Sequence, residues 1–130
     1  MKIGIDWGGT KIEGIAIDPK NGTELNRIRV DSPKENYEEI VSKVVEVINE
    51  LSKDSKNFTV GIGMPGSIHP ETNRVQVSNT KALEGKAVKS DIETKLGYEI
   101  KIANDADCLA LSEAVDGAGK DYKSVFAVIL

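Results

Sequence analysis

The chain has 130 residues, 39% of them hydrophobic and 29% charged, the composition of a folded globular domain rather than a disordered segment. Its formal net charge of −4, with Lys and Arg dispersed, leaves no basic footprint for nucleic acid. No apolar run reaches the length of a membrane span, no basic-then-apolar leader opens the sequence, and the single cysteine, Cys108, has neither a disulfide partner nor metal-ligand spacing. These features predict a cytoplasmic protein that meets a small molecule or a protein partner, with no membrane and no nucleic acid.

The stretch from Ile3 to Ile17 reads as a β-hairpin, two alternating apolar runs around Gly8-Gly9-Thr10-Lys11. Gly8 and Gly9 are free to take positive φ, so the turn amides can close around an anion, with a hydroxyl from Thr10 and a cation from Lys11. Asp6 would repel a phosphate unless a divalent cation lies between them, so the stretch reads as a holder of metal-bound polyphosphate. An ordinary hairpin, with Lys11 exposed and Asp6 bonded to turn amides, fits the same letters. A P-loop does not, because the order is Thr-Lys and a strand follows. Trp7 is expected over the hairpin or at the domain edge.

After the turn Asp18–Gly22, Thr23 to Val30 predicts a third strand and completes an antiparallel meander. Helix starts are signalled at Ser32 and Asn36, and Tyr37, Ile40, Val41, Val44, Val45, Ile48 and Leu51 then recur at helical spacing. Phe58 to Ile62 predicts a buried strand that runs into Gly61-Ile62-Gly63-Met64-Pro65-Gly66. Those letters match a dinucleotide fingerprint, but no helix follows to receive a pyrophosphate, and the segment reads as a Pro-Gly loop before a small hairpin. Val88, Ile92 and Leu96 mark a helix stopped by Gly97, and Tyr98 to Ala103 a further strand. Asn104-Asp105 opens a third helix with Ala106, Leu109, Ala110 and Ala114 inward and Cys108 as a small buried filler. Ser124 to Leu130 closes as an apolar strand, expected to drive self-association if left unpaired. This order gives an α/β fold, a mixed sheet with helices on its faces.

Asn104-Asp105 stands where a strand end meets a helix start, the usual place for a site in an α/β sheet, although both residues are also favoured helix caps. Beside a metal-and-phosphate hairpin and a Gly-Pro-Gly loop, a carboxylate here suits phosphoryl transfer to an alcohol, with Asp105 as the base that accepts the hydroxyl proton. Asn104, Asn79 and Ser67 are candidates to hold neighbouring hydroxyls. His69, between Ile68 and Pro70, reads as a solvated turn residue.

Three blocks together, Ile5-Asp6-Trp7-Gly8-Gly9-Thr10-Lys11, Gly61-Ile62-Gly63-Met64-Pro65-Gly66 and Ala103-Asn104-Asp105-Ala106-Asp107-Cys108-Leu109-Ala110, resemble the N-terminal half of a ROK-family sugar kinase, within the actin-like and hexokinase-like ATPases. The resemblance implies a ribonuclease H-like domain over residues 1–118, a mixed five-stranded sheet of a three-strand antiparallel meander plus two parallel strands, and the first strand of a second domain over residues 119–130. It further implies that Gly8, Gly9, Thr10 and Lys11 meet ATP phosphates and Asp6 lies near Mg²⁺. Asp105 is then the catalytic base, and Gly66, Ser67, Asn79, Asn104 and Asp105 line the sugar site. Pro-Gly-Ser-Ile-x-Pro and Leu83-Glu84-Gly85-Lys86 are most similar to the fructokinase and mannokinase branch, with N-acetylglucosamine kinases close behind. Fructose is thus the expected substrate, with mannose, glucose or N-acetylglucosamine as alternatives. Family members are about twice this length, so the chain is expected to be one wall of a cleft and inactive by itself. The remaining half would carry adenosine contacts and in some members a zinc site, none of it in this chain, and the full-length protein would be a homodimer. A sugar-sensing transcriptional regulator and a non-catalytic domain are the rival classes.

Overall fold

The computed structural model describes residues 1–128. β1 (Lys2–Trp7) and β2 (Lys11–Ile17) form the opening hairpin, and β3 (Glu24–Asp31) pairs antiparallel with β2. Strand alternation sends Ile3, Ile5, Trp7, Ile12 and Ala16 to one buried face, while Lys2, Asp6 and Lys11 are exposed on the other. Trp7 therefore shares the inward row of Ile3 and Ile5 and is fully buried, not a cover for the hairpin or the domain edge.

α1 (Tyr37–Ser52) covers the buried face. The Asn36 side chain accepts from the Glu39 amide at 3.2 Å, and Glu38 and Glu39 favour the positive end of the helix. Ile40, Val41, Val44, Val47, Ile48 and Leu51 form its buried stripe. Gly14 in β2 lets the helix come close, because a Cβ there would lie 2.6 Å from a Leu51 methyl and 2.7 Å from a Val47 methyl.

β4 (Thr59–Met64) runs parallel to β1, and β7 (Lys101–Asn104) parallel to β4, so the five-stranded mixed sheet has the order β3-β2-β1-β4-β7. Between β4 and β7 the chain makes a small hairpin, β5 (Ser67–Ile68) with β6 (Val75–Val77), a short 3-10 turn at Lys81–Leu83, and α2 (Val88–Leu96). The strand after Gly66 excludes a dinucleotide fold at the three spaced glycines. α2 buries Val88 and Ile92 and stops at Gly97, whose φ of 79° is left-handed and whose amide bonds the Glu93 carbonyl. The Tyr37 hydroxyl donates to the Asp91 carboxylate of α2 and the Lys86 ammonium lies 5.0 Å from the Tyr37 ring centre, so polar contacts also tie α1 to α2 and to the segment before it.

α3 (Asp105–Val115) begins directly at the end of β7, packs on β4 and β7, and has no buried residue. The expected inward side is open: Leu109 is 40% exposed, and Cys108 is exposed rather than a buried filler. The reason is the sheet face beneath α3, where Gly4, Gly61 and Gly63 offer little side-chain bulk to pack against. The strand expected from Ser124 does not form over Ser124–Val128, which pairs with neither sheet edge, and its last two residues, 129 and 130, lie outside the described residues. No helix among the described residues is long and apolar enough to cross a membrane.

Candidate active site

Because β1, β4 and β7 are parallel, their C-terminal ends share one edge of the sheet: Asp6 pairs with Gly63, Gly63 with Ala103, and Met64 with Asn104. Each of these ends runs into one of the three motifs, the Gly8–Lys11 turn, the Pro65-Gly66 loop and the start of α3. Two strand spacings separate Asp6 from the β7 end, roughly 10 Å. A groove of about 1060 Å³ along the α3 side of the sheet has Asp6, Gly63, Asp105 and Cys108 in its wall. Cys108 is exposed overall, but partial desolvation pushes its thiol above the ordinary range, and the carboxylates of Asp107, Asp105 and Asp6 push it further.

The hairpin turn closes through the Gly8 amide donating to the Lys11 carbonyl at 2.9 Å, and the Ser32 amide donates to the Thr10 carbonyl at 2.9 Å. Neither Gly8 nor Gly9 takes positive φ, so the expected left-handed nest is absent. At Gly8 a Cβ would sit close, 3.1 Å from the Lys11 carbonyl oxygen. Gly9 and Thr10 are exposed. Asp6 is exposed as well, and among the described residues its carboxylate accepts no hydrogen bond from the turn. The Lys11 ammonium pairs with the Asp31 carboxylate of β3 and holds it below the usual carboxylate range. Both partners are largely solvated, so the pair adds little stability.

The other side of the site is tightly bonded. The Asn104 Oδ1 accepts from the Ala106 amide at 2.9 Å and the Asp107 amide at 3.3 Å, capping α3, while its Nδ2 donates to the Gly66 carbonyl at 2.8 Å. Asn104 is therefore a cap and also a tie to the Pro-Gly loop. Asp105 is half-buried, and its Oδ1 accepts from the Ala106 amide at 2.8 Å. α3 lies directly over Gly63, where a Cβ would make ordinary contact with the Cys108 sulfur at 3.5 Å and the Asp105 Cα at 3.8 Å. Gly66 has φ of 120°, which side chains rarely tolerate, and its missing Cβ faces the Val77 carbonyl and Ser78. Ser67 and Asn79 are exposed on the small hairpin and on the segment after it. His69 serves its own turn, its Nδ1 accepting from the Glu71 amide at 3.3 Å and the Thr72 amide at 3.4 Å.

No cluster of three or more His, Cys, Asp or Glu able to hold a metal occurs among the described residues. A Mg²⁺ ion bound through substrate phosphates needs only one or two protein carboxylates, and the exposed, unbonded Asp6 at the edge of the turn fits that demand. Two residues that the sequence reading passed over, Ser78 and Thr80, are buried on either side of the exposed Asn79. The signal was present as a polar triplet, Ser-Asn-Thr, following a strand, where alternate residues face opposite ways.

The model of the ROK family matches residues 2–130. The chain belongs to the ROK family. This ROK chain is 38% identical over 131 residues to the N-acetyl-D-glucosamine kinase of Pasteurella multocida, a match covering 100% of the chain and 43% of that protein. The inorganic polyphosphate/ATP-glucomannokinase of Arthrobacter sp. strain KM superposes with a TM-score of 0.77 at 34% identity, covering 90% of this chain and 49% of that one. A ROK family glucokinase from Streptomyces griseus, solved in complex with glucose and AMPPNP, superposes with a TM-score of 0.78 at 29% identity over 91% of this chain and 37% of that one. The mixed sheet with its helices is thus the actin-like ATPase fold of ROK sugar kinases, as the sequence blocks implied. The chain spans less than half the length of the P. multocida relative.

Proposed function

We propose that the complete polypeptide is an ATP-dependent hexose kinase, and that this chain supplies its N-terminal domain over residues 1–118, with residues 119–130 leading into a second domain. The observation that carries the reading is the convergence of Asp6, the Gly8–Lys11 turn, Gly66 and Asp105 at one end of three parallel strands. In this reading Gly66, Ser67, Asn79 and Asn104 orient the sugar. The Asp105 carboxylate then takes the proton of the attacking hydroxyl as its oxygen bonds to the γ-phosphorus and the bond to ADP breaks. Gly8, Gly9, Thr10 and Lys11 steady the phosphates, and Asp6 would hold Mg²⁺, which neutralises charge on the phosphate oxygens.

N-acetyl-D-glucosamine is the first substrate we propose, ahead of the fructose that the loop sequence suggested. Support comes from the relative at 38% identity, which is named for that activity, whereas the similar solved structures are named for glucose and mannose phosphorylation. Expressed as the complete polypeptide and offered ATP with N-acetylglucosamine, glucose, mannose and fructose, the protein should release ADP fastest with N-acetylglucosamine. A preference for fructose restores the earlier assignment, and no sugar-dependent ADP with any of the four removes the kinase reading.

A further inference from the structure

The Ser78 hydroxyl lies at the centre of the bonded half of the site. Ser78 is 2% exposed, its Oγ donates to the Pro65 carbonyl at 2.7 Å, and the same oxygen accepts from the Thr80 amide at 3.1 Å. Its own amide donates to a Glu84 carboxylate oxygen at 3.3 Å, drawing the following loop onto it. A Cβ on Gly66 would stand 3.0 Å from the Ser78 Cβ, so the two backbones touch where Gly66 takes its strained φ. Gly66 in turn is held from the opposite side by Asn104. Thr80, placed by the Ser78 bond, brings its Oγ1 to 3.7 Å from where a Cβ on Gly9 would lie, next to the phosphate turn.

Ser78 thus joins the Pro65-Gly66 loop to the Thr80 and Glu84 segments that follow it. We infer that Ser78 is a positioning residue for sugar binding: its buried hydroxyl fixes the segment of Asn79, which faces solvent, against the Pro65-Gly66 loop that Asn104 at the end of β7 also holds. It touches no substrate. Because both hydrogen bonds of the hydroxyl are intramolecular and buried, removing it leaves the Pro65 carbonyl and the Thr80 amide unpaired. The loop and the Asn79 segment can then drift apart.

This inference rests on the kinase reading, and its test separates the two. In the complete polypeptide, Ser78→Ala should raise KM for the sugar about tenfold while KM for ATP stays within about twofold, because a lost buried hydrogen bond acts here on the sugar side. Ser78→Cys, which keeps a longer and weaker donor on a slightly larger side chain, should fall between wild type and Ser78→Ala. Val44→Ala, a truncation in the fully buried core away from the site, should lower Tm yet leave the sugar KM unchanged. An active Ser78→Ala enzyme with an unchanged sugar KM overturns the inference, as does an equal rise in KM from Val44→Ala, which would make the effect merely structural. If Ser78→Ala is insoluble, the Ser78→Cys value decides in the same way. A wild-type protein that phosphorylates no hexose overturns the kinase reading and this inference with it.

Discussion

Gly66 is gripped by the Asn104 carboxamide on one side and by the Ser78 backbone on the other, with Pro65 held by the Ser78 hydroxyl. The Gly8–Lys11 turn, by contrast, closes on one backbone bond between its own ends and one from Ser32, and its lysine is turned toward Asp31. One side of the site therefore exists before any ligand arrives, and rigid polar groups there can orient a substrate at small entropic cost. The other side offers exposed amides, a hydroxyl and an unbonded carboxylate that only a charged ligand and its counter-ion would draw together. The difference matches the proposed roles: an exact hydroxyl geometry on the sugar side, and charge neutralisation on the phosphate side.

Gly66→Ala should break the bonded side most severely. A Cβ there would clash with the Val77 carbonyl oxygen, far inside van der Waals contact, at a φ of 120°, so unfolding experiments should show a loss of about 3 kcal/mol and calorimetry no sugar binding. Asn104→Ala should cost about 1–2 kcal/mol through the lost cap, measured by urea denaturation. Asn104→Asp sharpens the point, since it keeps the cap acceptor and loses the donor to Gly66: stability near wild type with a weaker sugar affinity would separate cap from tie.

The Glu84 latch predicts a smaller, pH-dependent effect. The Lys81 ammonium and the Ser78 amide hold Glu84 below the usual carboxylate range, so its contribution is present above the unfolded pKa. It is lost as pH falls through the lowered folded value. Thermal melts should show Glu84→Gln reducing Tm at neutral pH and converging with wild type in acid. At the turn the change should be slightest: Asp31→Asn frees Lys11 from a solvated pair and should move Tm by about 1 °C or less. A large loss there would show the turn to be as tightly built as the other side.

Much of the frame was legible from the sequence because it is dictated locally. The alternation of β1 and β2, the Asn36 cap and the left-handed Gly97 each follow from a few neighbouring residues, and together they give the meander and the helix ends. Asn104-Asp105 was legible as a strand end and a helix start for the same reason, although its tie to Gly66 spans 38 residues and has no local signature. Trp7 was misplaced because a large aromatic beside a turn suggests a cover, while its parity in β1 puts it inward. Leu109 was read as inward from helical spacing and Cys108 as buried because free cysteine packs as a hydrophobe, and neither signal says whether another element covers that side of α3. The glycines of the turn were read as free to take positive φ, and neither takes it, Gly8 instead lying close beside the Lys11 carbonyl. Ser78 was passed over because a buried hydroxyl between two loops is a product of tertiary packing.

The assignment of Asp105 as the base is tested most directly by Asp105→Asn in the complete polypeptide. The amide keeps the size of the side chain and an oxygen that can accept from the Ala106 amide, but it cannot take a proton from a sugar hydroxyl. Turnover should fall by about 10²–10⁴-fold while the sugar dissociation constant, measured by calorimetry, stays within about threefold. Turnover within about tenfold of wild type would contradict the assignment and move the search for the base elsewhere.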